Sequence, residues 1–258
     1  MIDLHAHILP GLDDGAKDMD EAIDMCFRAA KDGIDTIVAT PHTGNSSFNS
    51  HRDLIFEAVT VLNTHLKKRK IPVKVLPGAD NYINEHLVRS LQDGEAMTVN
   101  DNGRYVMVEF PRDIMPPKYL ELVFGLKVKG ITPIFTHPER NMAVQSNSEI
   151  VRQWVDKGGL VQITAMSLIG AFGDDARKCA EDFLRYRLVH VIASDAHSRD
   201  QRPPILSKAV ELAGSLVGSD YARKLVEDFP AAIIAGRPFD VPEPIPKKLN
   251  FFARLLGK

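Results

Sequence analysis

At 258 residues, with 44% apolar and 26% charged side chains, the chain has the length of one α/β barrel and enough apolar material for a sizeable core. A net charge of −2 leaves no basic face for general nucleic-acid binding, and no apolar run reaches the roughly 18 residues of a membrane-spanning helix. The two cysteines, Cys26 and Cys179, stand far apart in helix-like stretches, and Met1-Ile2-Asp3-Leu4 lacks the basic segment of a signal peptide. A cytoplasmic protein without disulfides is expected.

The chain opens on a short apolar strand that ends in His5 and His7. Residues i and i+2 of a strand share a face, so both imidazoles are expected in one site. Asp18 can cap the first helix, with Glu21 three residues on and Ala22, Met25, Cys26 and Ala29 at helical intervals before Gly33 closes it. The second strand, 34–40, leads into Pro41-His42. A helix over 54–68 follows, with Ile55, Val59, Leu62 and Leu66 on one side. Strand 73–76 leads into Asp80, strand 105–108 into Glu109, and strand 131–135 into His137. Segments 149–157 and 174–187 read as helices, strand 188–193 runs into Asp195 and His197, and 205–216 is again helical. Alternation of strand and helix about seven times predicts mostly parallel strands with helices outside.

Residues 1–240 are expected to form one domain, with 241–258 outside it. That end is proline-rich over 238–246 and basic over 247–258, where Leu249, Phe251, Phe252, Leu255 and Leu256 also fall. A terminal helix docked on the body is expected there, with contact to a membrane surface or a partner as the alternative.

Histidine and carboxylate side chains after nearly every strand suit a barrel that gathers one polynuclear metal site at the carboxyl ends of its strands. The motifs themselves, His5-Ala6-His7, Thr40-Pro41-His42, His137-Pro138-Glu139-Arg140 and Ser194-Asp195-Ala196-His197, resemble those of the PHP (polymerase and histidinol phosphatase) superfamily. Within it, the chain resembles the bacterial capsule-type protein tyrosine phosphatases. These share an opening like Ile8-Leu9-Pro10-Gly11-Leu12-Asp13-Asp14-Gly15, a Gly78-Ala79-acid-x-Tyr82 segment and a late Arg202-Pro203-Pro204. The resemblance runs from about residue 1 to about residue 235.

The resemblance implies an α/β fold of the distorted (β/α)7 TIM-like type with three divalent metal ions. His5, His7, Asp80 and Asp195 would hold one ion, Asp80, Glu109 and His137 a second, and Asp14, His42 and His197 a third. Relatives commonly place Glu where Asp80 stands, so the bridging side chain is shorter here. Asp80 as a simple cap and Asp14 as a turn residue before Gly15 are the alternative readings. Manganese is the expected metal, with iron or zinc also suited to imidazole and carboxylate ligands. Four ligand carboxylates against three divalent ions leave two positive charges, matched to a phosphomonoester dianion. Arg140 and Arg202 could add planar forks for its oxygens.

The implied reaction is hydrolysis of phosphotyrosine on a bacterial tyrosine kinase linked to capsule or exopolysaccharide biosynthesis, by attack of a metal-bridging hydroxide. A small-metabolite phosphatase such as histidinol phosphatase, or a non-catalytic metal-binding module, are the alternatives. Cys179-x5-Arg185 matches the spacing of cysteine-dependent tyrosine phosphatases, yet the intervening residues include Glu181 and Asp182 and no glycine, which suits a helix and not a phosphate loop. His51, His65, His86 and His190 read as surface or packing residues, and Trp154 as core. Tyr82 and Phe110-Pro111-Arg112 lie beside expected ligands and could shape the mouth.

Overall fold

The computed structural model describes residues 1–44, 47–48 and 50–246. The basic stretch 247–258, where a terminal helix was expected, lies outside the described residues. Among the described residues nine strands occur in chain order: β1 (Ile2–Ala6), β2 (Thr36–Ala39), β3 (His42–Thr43), β4 (Lys74–Pro77), β5 (Asp80–Tyr82), β6 (Tyr105–Glu109), β7 (Thr132–Thr136), β8 (Leu160–Thr164) and β9 (Val191–Ala193). Every pairing is parallel, in the orders β1-β2-β4 and β3-β5-β6-β7-β8-β9.

The two sheets meet in line. Val38 pairs with Leu76 and Ala39 with Pro77, then His42 pairs with Asp80 one step up. Between these pairs stand Pro41, which has no N–H to offer a ladder, and Gly78. A Cβ on Gly78 would lie 2.7 Å from Val38 Cγ1, so only glycine lets the chains approach this closely. At the other margin Asp195 N donates to His5 O at 2.8 Å and His7 N to Ala196 O at 2.8 Å, which joins β9 to β1. The register of β1 against β2 shifts between Asp3 and Ala6, a bulge that re-aims the strand just where His5 stands.

The first helix, Met19–Lys31, starts as expected: Glu21 N donates to Asp18 Oδ1 at 2.9 Å. Helices Arg52–Arg69, Glu149–Asp156, Asp174–Arg185 and Ser207–Val217 match the periodic segments to within about two residues. Two larger elements carry no such signal. Strand β8 ends in Thr164, without a metal-binding side chain to mark it. Helix Tyr119–Val128 is apolar on most sides, with Phe124 and Val128 exposed, so it shows no single stripe.

Alternation along the strands divides the core. Leu4, Val38, Met107, Ile134, Leu160, Val191 and Ala193 form one fully buried cluster. Ile37, Val75, Val106, Val108, Phe135, Val161, Ile163 and Ile192, from the opposite strand faces, pack into a larger cluster with the helices. Two positions beyond members of the first cluster, on the same faces, come Glu109, Thr136, Gln162 and Asp195. One column of side chains therefore passes from apolar to polar as it climbs toward the carboxyl ends.

Candidate metal centre

All nine side chains expected as ligands converge at those carboxyl ends. His5 Nε2 lies 3.0 Å from His7 Nε2, 3.6 Å from Asp80 Oδ2 and 3.5 Å from Asp195 Oδ1. His137 Nε2 stands 3.9 Å from Asp80 Oδ2 and 3.8 Å from Glu109 Oε1. On the far side, Asp14 Oδ1 is 3.6 Å from His42 Nε2 and 3.5 Å from His197 Nε2. Among the described residues, four groups have ligand atoms close enough to share an ion: His7-Asp14-His42-His197, His5-His7-Asp80, His5-His137-Asp195 and His42-Asp80-Glu109. The sharing differs in detail from the expected grouping. His42 also faces Asp80 and Glu109, and His137 stands with His5 and Asp195 as well.

The outer nitrogens of three rings are held. Asp13 Oδ2 accepts from His7 Nδ1 at 2.6 Å, Gln162 Oε1 from His5 Nδ1 at 3.0 Å, and the Asp195 carbonyl from His197 Nδ1 at 3.0 Å. With those protons on Nδ1, Nε2 of each ring faces the centre and offers its lone pair once any second proton is displaced, the arrangement that metal-binding histidines need. Two such lone pairs 3.0 Å apart on His5 and His7 suit neighbouring ligands of one ion at bonds of about 2.1 Å. Asp80 is fully buried; its Oδ1 accepts from Thr136 Oγ1 at 3.2 Å, while Oδ2 has no hydrogen-bond partner. A buried, unpaired carboxylate oxygen facing imidazole nitrogens costs free energy that a cation would recover. The donor set fits divalent metal.

Burial, and then the Glu109 carboxylate, raise the Asp80 pKa well above the usual range. Burial pulls the His5 ring down to about 3, so it is neutral and ready to ligate. Burial acts on His7 in the same direction, but the Asp13 carboxylate overrides it and lifts that ring to about 9. Asp195 resists its own burial: His7, His5, His137 and Arg140 hold its carboxyl well below the ordinary value. Its oxygens divide the labour. Oδ1 faces the rings of His5, His7 and His197, while Oδ2 accepts from Arg140 and, at 2.6 Å, from Arg202. Asp195 (φ 52°) and His137 (φ 36°) both adopt the left-handed conformation, which costs a non-glycine residue on the order of 1–3 kcal/mol.

A cleft of about 240 Å³ opens over this cluster, lined by Asp14, His42, Glu109, His137, Arg140 and Arg202. Arg112 also reaches it. Phe110 borders it, but its ring is buried 4.2 Å from Phe135 and 5.5 Å from Trp154, so it serves the core. Tyr82 lines a neighbouring hollow with Asn81 and Asn84. His190 is buried and its Nδ1 accepts from Val161 N at 3.1 Å, a packing role. Cys179 and Arg185 lie in helix Asp174–Arg185, where Arg185 pairs with Glu181 and Asp182.

Sequence reading left several supporting residues unassigned. Asp13 was hidden beside Asp14, and its 3.0 Å bond from His42 N joins two strands' ends. Gln162 lay on the unmarked β8. Asp3, two positions before His5, is buried and accepts from Ser194 N and Oγ at 2.9 and 2.5 Å. Strand parity from His5 was the signal for it. Gly15 is fixed by contact: a Cβ there would lie 2.0 Å from His7 O.

Residues 1–235 match the capsular polysaccharide synthesis family CpsB/CapC. Tyrosine-protein phosphatase YwqE of Bacillus subtilis (strain 168) is 36% identical over 228 residues, covering 88% of this chain and 89% of the relative. Tyrosine-protein phosphatase CpsB of Streptococcus pneumoniae is 33% identical over 242 residues, covering 91% and 98%. A chain from the crystal structures of YwqE and CpsB, described as unique metal-dependent tyrosine phosphatases, superposes with a TM-score of 0.91 at 34% identity, covering 96% of this chain and 100% of that one. A Listeria monocytogenes lactonase shares the fold alone, with a TM-score of 0.59 at 13% identity and 92% and 95% coverage. The motif resemblance is thus borne out along nearly the whole described chain, and the protein belongs to the CpsB/CapC family.

Proposed function

We propose that this chain is a metal-dependent protein tyrosine phosphatase, a hydrolase of phosphoric monoesters, whose nine converging side chains hold three divalent ions, manganese foremost. The carrying observation is Asp80 Oδ2, buried without a hydrogen-bond partner among imidazole nitrogens, one cleft away from two arginines that meet on Asp195. Counting β3 as the continuation of β2, and β5 of β4, supports a seven-staved (β/α) barrel as the scaffold. Bound divalent ions would bring the pKa of water toward about 7 and offset charge on the phosphoryl oxygens.

The chain's own part is orientation. Asp13, Gln162 and the Asp195 carbonyl keep three rings in the ligating tautomer. Arg140 and Arg202 present planar donors to a phosphate in the cleft. A phenolate leaves readily, so a dedicated general acid matters less for phosphotyrosine than for an alkyl phosphate. The names of the relatives, and the family's tie to capsular polysaccharide, support a phosphotyrosyl protein as substrate; the substrate proposed within that class is a bacterial tyrosine kinase acting in the cytoplasm on capsule export.

Metal analysis of the purified protein, paired with a screen over phosphotyrosyl peptides and phosphorylated metabolites, tests this. Turnover of phosphotyrosyl peptides that chelators abolish, manganese restores and thiol-blocking reagents spare is the expected result. Rapid cleavage of histidinol phosphate without phosphotyrosine turnover would transfer the site to a metabolite, and full activity after exhaustive demetallation would end the metal reading.

A further inference from the structure

Two like-charged guanidinium groups converge on a single carboxylate oxygen, Asp195 Oδ2. The carboxylate offsets one of those charges. The other counter-surface is an aromatic face: Arg140 Cζ lies 4.5 Å and Arg202 Cζ 5.6 Å from the centroid of the half-buried Phe172 ring. Phe172 does not line the cleft, so its contact is with the arginines and not with the space a substrate would fill.

The backbone fixes that ring in place. Phe172 stands in the turn after helix Ala165–Leu168, between Gly170 (φ 85°) and Gly173 (φ 95°), conformations that glycine adopts without strain. Gly170 N donates to Ser167 O at 3.0 Å and Ala171 N to Met166 O at 2.9 Å. The same helix is tied to the arginine-bearing turn. Glu139, fully buried and adjacent to Arg140, accepts from Thr164 N at 2.9 Å and from Ser167 Oγ at 2.7 Å through one oxygen. One buried carboxylate thereby holds the turn that carries Arg140 against the element that carries Phe172.

We propose that Phe172 is a positioning residue, its ring carrying Arg140 and Arg202 together so that both forks face one phosphate. The proposal rests on reading the cleft as a phosphate site, and stacking under a planar cation is what an aromatic face supplies.

The test uses full-length, metal-loaded protein, with inorganic phosphate binding measured by calorimetry and kcat and KM measured on a phosphotyrosyl peptide. Phe172→Ala is expected to weaken phosphate binding and raise KM about fivefold to thirtyfold, with kcat changed less and metal content unchanged. Phe172→Tyr should restore binding to within about twofold. Phe172→Leu, which keeps the bulk, folds in place of alanine if that variant does not, and should still bind phosphate weakly. In a protein carrying both Arg140→Ala and Arg202→Ala, the effect of Phe172→Ala should shrink below about twofold. Full rescue by leucine, or an undiminished effect without the arginines, would reduce Phe172 to packing. A wild-type protein that binds phosphate but hydrolyses no ester would sink the proposed activity and leave the clamp standing; one that binds no phosphate would overturn the clamp.

Discussion

The same strands are built for two purposes at their two ends. At the amino half Leu4, Val38, Met107, Ile134, Leu160 and Val191 meet in a dry cluster without polar atoms to satisfy. A few residues along, the rim carries His5, His42, Glu109, Thr136, Gln162 and Asp195, with an unpaired carboxylate oxygen and two left-handed backbones. Stability is concentrated below and held back above. Polar groups that would be faults in a core are arranged at the rim to receive a charge from outside, while the apolar half supplies the free energy that keeps them crowded together.

The largest effects should come from the upper end and leave the lower one intact. His5→Ala or Asp195→Ala is expected to lower kcat/KM by about a thousandfold or more, the scale of losing a group that stabilises developing charge, with far-UV circular dichroism unchanged. Near-normal rates in both would break the division between the two ends. Ile134→Ala acts the other way: burial and cavity terms predict a loss of about 2–5 kcal/mol in urea unfolding, while the fraction still folded keeps its kcat. A stable Ile134→Ala protein with impaired turnover would show that the ends are not separable.

A smaller effect sharpens the comparison through pH. His190 is buried away from the rim, and burial lowers its ring to about 3. Unfolded chains bind a proton there below about pH 6.5 while the folded protein does not, so stability falls as pH drops through that window. His190→Gln should therefore flatten the dependence of unfolding free energy by about 1.4 kcal/mol per pH unit between roughly pH 6 and pH 4. Equal slopes in the two proteins would place its ring in contact with solvent. The smallest effect is expected of Cys179→Ser, which should leave phosphatase rates within about twofold, since its partner in the motif is paired with Glu181 and Asp182; loss of turnover would revive thiol chemistry.

What was legible in the chain follows the same split. The candidate ligand positions stood out because a histidine or carboxylate follows nearly every apolar strand-like run, and parity alone put His5 with His7. Asp18 capped its helix as its spacing to Glu21 indicated. Strand β8 escaped because its inward residues, Gln162 and Thr164, are ordinary polar types, and Gln162 takes its meaning only from the His5 ring it touches. Asp13, Glu139 and Phe172 escaped for a related reason. Each acts on a residue distant in sequence or on a neighbour's neighbour, and no local period encodes that relation. The interruptions at Pro41 and Gly78 were visible as residues, but that they fall opposite one another is a fact of register.

That shared break has a mechanical outcome. His42 and Asp80 ride on a small flap of backbone stitched to β6 along one seam, with Pro41 O to Asp80 N, at 3.2 Å, as a tack across the fold line. Loosening the flap requires only a handful of backbone hydrogen bonds to part, whereas the longer parallel strands beneath must separate together. Amide protons of 80–82 should thus exchange sooner than those of 36–39 when the cations are stripped away, and the protein can lose its chemistry without losing its shape.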